Sequence, residues 1–115
     1  MDMRILKASS IKTEPFVTLP EGDLGLVDLF AQAEGAPFSA GVCEIRAGDA
    51  VDFDYDNDAA VCFMAEGSIF LTENGERRDL AAGDVFYIPQ KQGLVVSFAS
   101  ESYGRFYYVT YPHWR

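Results

Sequence analysis

The chain has 115 residues, 49 % of them apolar, and 9 Lys and Arg against 18 Asp and Glu give it a formal charge of −9. That length allows one domain with a modest core, which a partner subunit helps to complete, and the apolar share excludes a disordered chain. The acidic excess repels nucleic-acid phosphates and anionic membrane surfaces, so neither is expected as a partner.

The opening MDMRILKASS lacks the apolar region of a signal peptide, and no run is long enough to span a bilayer, so a cytoplasmic location is expected. Met3 to Lys7 reads as a short leading strand. Phe16 to Leu19, between Pro15 and Pro20, reads as an edge strand, where missing donors are tolerated. Residues 1–20 therefore supply leading edge strands, and residues 21–25 (EGDLG) form a turn or loop. Leu26 to Ala33 alternates like a strand, although its Leu and Ala also suit one or two helical turns. After the break Glu34-Gly35-Ala36-Pro37, an extended pattern resumes over Phe38 to Ile45 and opens a barrel core over residues 38–111. Cys43 and Cys62 sit in apolar runs, as reduced buried thiols do.

From Val51 onward, strands recur at roughly eight- to twelve-residue spacing with turn signals between them. Ser68 to Thr72 alternates, Asn74-Gly75 is a hairpin turn, Ala82-Gly83-Asp84 is a turn that needs glycine, and Val85 to Ile88 reads as a fully buried strand stopped by Pro89. Arg105 to Tyr111 is the last strand. These elements predict a single all-β domain, a jelly-roll β-barrel.

Asp52, Asp54, Asp56 and Asp58 alternate with Phe53, Tyr55 and Asn57. Period-2 geometry puts the carboxylates on one face and the aromatics on the other. Burying several carboxylates is costly, which favours Phe53 and Tyr55 inside and the aspartates in water. A bulge near Asn57 would let members of both sets face inward. Asp54 and Asp56 are the candidate catalytic pair, and as oxygen ligands they suit Mg²⁺, Ca²⁺ or Mn²⁺, but such a site needs about six oxygens and the sequence supplies no others nearby. His113, next to the C-terminus, is the only histidine and reads as solvated, so a nitrogen-rich zinc or iron centre is excluded on inventory. No cofactor is expected. Buried tyrosines need hydrogen-bond partners, so Tyr87 and Tyr108 converging inside a barrel would make a pocket for a small polar ligand, and Arg105 offers a forked donor to an anion.

Gly48, Gly67, Gly83 and Pro89 stand at the scaffold positions of the two motifs of the cupin family, which the chain resembles. The cupin motifs place three His and one Glu where this chain has Asp54, Asp56, Ala60 and Leu94. Taken in that register, Asp54, Asp56, Ala60, Cys62 and Met64 line one interior. GDVFYIP followed by RFYYVTYPHW is similar to the cupin domain of the EutQ family of ethanolamine-utilisation proteins, a likeness running from Gly67 to Trp114. That resemblance implies a small jelly roll, dimerisation, no histidine metal centre, and a role in ethanolamine catabolism with acetate-kinase-like activity. The EutQ pattern Tyr-Asp-Glu and a further Asp falls on Asp58, Ala59, Ala60 and Cys62, so three of its carboxylates are missing, and no Walker-type phosphate loop is present.

Three readings follow. One is a small-molecule-binding cupin without the histidine metal site, holding its ligand near Cys62, Met64, Tyr87, Arg105 and Tyr108. Another is a lyase, isomerase or acetate-kinase-like enzyme using Asp54 and Asp56. The third is a dimeric scaffold whose barrel is closed by Met64, Phe86 and Tyr108. A homodimer is expected in each.

Overall fold

A computed structural model describes residues 2–19 and 22–115. Glu21, where the expected turn begins, and Pro20 lie outside the described residues. Among the described residues nine strands run in order: β1 (Glu14–Leu19), β2 (Gly22–Phe30), β3 (Ser39–Arg46), β4 (Ala50–Asp54), β5 (Ala59–Glu73), β6 (Glu76–Ala81), β7 (Val85–Ile88), β8 (Val95–Ala99) and β9 (Tyr103–Tyr111). The only helical turns among the described residues are two short 3-10 segments, Ala8–Ser10 and Gln32–Glu34, and no helix is long and apolar enough to cross a membrane.

The strands pair in the order β1-β2-β3-β9-β5-β8-β4, with β6 and β7 also on β5. Long β5 is what curls this sheet. Its first part pairs with β7 and β9, and its second part with β6 and β8. The change comes at a register shift between Met64 and Glu66, beside Gly67 at φ +64, where any side chain would run into the Tyr103 carbonyl. A bulge and a left-handed glycine together bend a strand sharply enough to serve two sheets. The inward faces then meet in one core that includes Leu24, Ile45, Ile69, Met64, Phe98 and Phe106. This is the jelly roll that the strand spacing predicts.

Hairpin β5–β6 turns at Asn74 and Gly75, both at positive φ (52° and 77°), the pairing that a two-residue turn demands. Several expectations change. Met3 to Lys7 is not a strand: Met3 and Ile5 are exposed, no strand pairs with them, and Arg4 instead reaches Glu34 and the face of Phe30. Gly22 to Gly25 belongs to β2 rather than to a loop. Residues 26–33 divide between the two expected forms, strand to Phe30 and a 3-10 turn from Gln32. Strand β7 is half buried, not fully: Phe86 and Ile88 turn inward while Val85 and Tyr87 face out. An apolar run does not reveal which of its faces is covered.

Candidate functional site

The aspartate segment breaks its alternation between β4 and β5. Phe53 packs on Phe98, with ring centroids 5.5 Å apart, and Tyr55 is buried, so the aromatics point inward and Asp52 and Asp54 stay exposed. The chain then leaves the strand. Tyr55 is pinned by its backbone, its N–H donating to the Leu94 carbonyl (2.9 Å) and its carbonyl accepting from Lys91 (2.9 Å). Asp56 turns away to accept the Gly93 N–H at 2.6 Å, which holds the 90–93 loop in place. Across this irregular stretch the parity reverses. Asp58 therefore enters the same interior as Ala60, Cys62 and Met64, only 8 % exposed.

These displacements leave a cavity of about 60 Å³ at the barrel mouth. Its polar lining consists of Asp54 at the rim, Asp58, Tyr55, Tyr108 and Thr110, and its apolar walls include Phe53, Phe98, Phe106 and Trp114. Thr110 lies opposite Ala60 in the β5–β9 ladder, which puts its side chain on the same inner face. Thr110 is 5 % exposed, and its hydroxyl oxygen has no hydrogen-bond partner. Asp58 accepts no side-chain hydrogen bond among the described residues: burial, with the nearby Asp54 charge second, pushes its carboxyl up to about 6. Buried polar groups are normally paired, so the unpaired Thr110 hydroxyl, with Asp58 on the same small cavity, marks a place where something else supplies the partner.

Tyr108 crosses the interior toward β2, where its hydroxyl donates to Asp28. The approach is possible because Gly41 lies opposite on β3, where a Cβ would collide with the phenol and with the Val27 carbonyl. Asp28 also accepts the Trp114 indole N–H at 2.9 Å and the Arg115 Nε–H at 2.6 Å. Trp114 is thus drawn across the cavity wall, in edge contact with Tyr108 and Phe53. His113, expected in water, is half buried and bonded to the Ala36 carbonyl at 2.6 Å, a second anchor for this terminal segment.

The expected site residues separate. Cys62 and Tyr108 line the cavity, joined by Cys43. Both thiols are free and buried, and burial raises them far above the ordinary thiol range, so they stay neutral at pH 7. Met64 is inward but is not part of the cavity lining. Tyr87 is 66 % exposed on the outer face, and Arg105, which pairs with Glu44 across β3–β9, also lies off the cavity. Asp54 reaches the rim, whereas Asp56 is engaged elsewhere. Among the described residues, no group of three or more His, Cys, Asp or Glu is arranged to hold a metal ion. Sequence reasoning missed Thr110, Asp28 and Trp114 and passed over Asp58. The parity of Thr110 with Tyr108 on β9 was the available signal.

Comparison with known proteins agrees with this architecture. The model of a family described as ethanolamine utilisation protein EutQ matches residues 1–115. A curated relative from Salmonella typhimurium, named acetate kinase EutQ, is 28 % identical over 111 residues, which are 96 % of this chain and 46 % of the relative, so the chain spans about half the length of that protein. The solved structure of a putative ethanolamine utilization protein Q from Salmonella typhimurium LT2 superposes with a TM-score of 0.82 at 26 % identity, covering 94 % of this chain and 85 % of that one. A Cupin 2 conserved barrel domain protein from Salinispora arenicola, 21 % identical, superposes with a TM-score of 0.66 over 96 % of this chain and 87 % of its own, a likeness of fold.

Proposed function

The chain belongs to the ethanolamine utilisation protein EutQ family, has a cupin barrel, and from that premise we propose that it binds a small polar molecule in the cavity at the barrel mouth. The observation that carries this reading is the buried, unpaired Thr110 hydroxyl facing the same cavity as the Asp58 carboxylate. A packed scaffold has no reason to leave that hydroxyl unsatisfied, because a buried polar group without a partner costs about 1–3 kcal/mol. The family supports a setting in ethanolamine utilisation or related amine chemistry.

The acetate kinase named for the Salmonella relative is the competing reading. Against it, the described lining residues include two carboxylates and no Lys, Arg or His, and like charge opposes a phosphoryl group. Asp54 and Asp56 do not form a pair over the cavity, which removes the acid–base arrangement that motivated an enzyme of that design. The exposed outer-face residues Phe63, Val85, Tyr87 and Tyr111, on adjoining strands, support the further expectation of a homodimer through that face.

Amide NMR spectra recorded with millimolar amines, diols and short carboxylates test the binding reading. Shifts centred on Cys43, Asp58, Cys62 and Thr110 are expected for at least one class. Shifts confined to the outer surface, or none for any class, would overturn it.

A further inference from the structure

Building on the proposal that the cavity takes a small polar ligand, we infer that this ligand is a short primary ammonium compound with a second hydrogen-bonding group. Its cation would sit on Asp58, and the second group would meet Thr110.

Three independent features converge on this class. First, the lining has the sign of a cation site: Asp58 is buried, Asp54 stands at the rim, and no cationic side chain lines the cavity among the described residues. An ammonium supplies three donors to such a carboxylate. Second, the walls are aromatic, with Phe53, Phe98 and Trp114 among them, and ring faces attract a desolvated cation. Third, the Thr110 hydroxyl is an unpaired donor and acceptor inside a cavity whose charge is already matched by the ammonium. A hydroxyl on the ligand can both donate to it and accept from it, whereas an ammonium can only donate.

Size limits the class further. At roughly 10–15 Å³ for each water-sized group, a cavity of about 60 Å³ has room for about four to six heavy atoms. That matches a two- or three-carbon amino alcohol held whole within the cavity. The charge balance also predicts a pH response. The titratable groups lining the cavity with Asp58 are Asp54 from β4, Tyr55 beyond it, Cys43 from β3, Cys62 from β5 and Tyr108 from β9. Burial keeps the two thiols and two phenols neutral below pH 8, so the pH response is read at Asp58.

Calorimetric titration of the 115-residue chain with ethanolamine, ethylene glycol and glycolate separates the possibilities, since the three differ mainly in the charge of one end. Ethanolamine should bind, and the other two should bind at least about tenfold more weakly. Asp58→Asn should cost ethanolamine at least about tenfold, and Thr110→Val about three- to tenfold. Lowering the pH from 7.5 to 5 should weaken ethanolamine about tenfold in the unaltered chain, because a carboxyl titrating near 6 is then mostly protonated, and should have little effect in Asp58→Asn. Glycol or glycolate binding as tightly as ethanolamine, with the cavity amides shifting, would overturn the ammonium assignment while leaving a ligand site. Binding by none of the three, with no shift at the cavity amides, would remove the ammonium assignment. If the wider panel of amines, diols and carboxylates also left these amides unmoved, the underlying site would fall with it.

Discussion

The Asp28 carboxylate accepts the indole N–H of Trp114 at 2.9 Å, so a residue in the second strand holds the terminal segment against the barrel mouth. Because the same carboxylate takes the Tyr108 hydroxyl and the Arg115 Nε–H, one side chain fixes two walls of the cavity and the segment beyond β9. Asp28→Ala should cost on the order of 1.5–3 kcal/mol, the range for hydrogen bonds to a charged group. Trp114 is the only tryptophan, so its fluorescence reports on the tie directly. Emission should shift to the red as the indole gains water; unchanged emission and stability would show that the segment is held by other contacts.

Asp58 and Thr110 should behave oppositely in stability and in binding. The Asp58 carboxyl is raised from 3.8 to about 6, so folding favours its protonated form. Its ionisation therefore weakens the fold above pH 6, and that penalty fades as the pH falls from 6 toward 4. With allowance for water reaching the cavity, Asp58→Asn should stabilise the ligand-free chain at pH 7 by roughly 1–2 kcal/mol and leave it little changed at pH 4. Thr110→Val should add about 1 kcal/mol by removing an unpaired buried hydroxyl. Urea unfolding at both pH values checks this. Loss of stability in both variants at pH 7 would mean that these groups already have partners.

The two aspartates nearest in sequence should also part company. Asp54 is exposed and makes no bond on which the fold depends, so Asp54→Asn should change stability by less than about 0.5 kcal/mol. Asp56→Ala removes the acceptor for Gly93 and should cost about 1 kcal/mol. Equal effects of the two substitutions would show that the 90–93 loop does not lean on Asp56.

Val85 and Tyr87 on β7 lie beside Phe63 and Val61 on β5, with Tyr111 at the end of β9, and form an apolar outer face on an otherwise acidic chain. Coverage by a second copy predicts a dimer in sedimentation at micromolar concentration, and Val85→Asp should shift it toward monomer. A monomer in the unaltered chain would contradict that use of the face.

Much of the barrel was legible because it depends on local chemistry: Asn74-Gly75 for the hairpin, Gly83 and Pro89 around β7, and the alternation of Ser68 to Thr72 in β5. The site was less legible because it depends on parity across an irregular stretch. Phe53 and Tyr55 point inward as the cost of buried charge predicts, yet three residues later Asp58 points inward too, since the chain leaves the strand while Leu94 and Lys91 hold its backbone. Periodicity carries no information across such a break. The tie from Asp28 to Trp114 joins distant parts of the chain, and the alternation of β2 gives no sign that Asp28 has a partner there.

Asp58 and Thr110 should share one ligand, and a crystal structure of the chain grown with ethanolamine would show it. The ammonium is expected within hydrogen-bond distance, about 2.7–3.0 Å, of the Asp58 carboxylate and the hydroxyl on Thr110, with Trp114 still closing the wall. A cavity holding only water bonded to both side chains, with ethanolamine absent or elsewhere on the molecule, would contradict it.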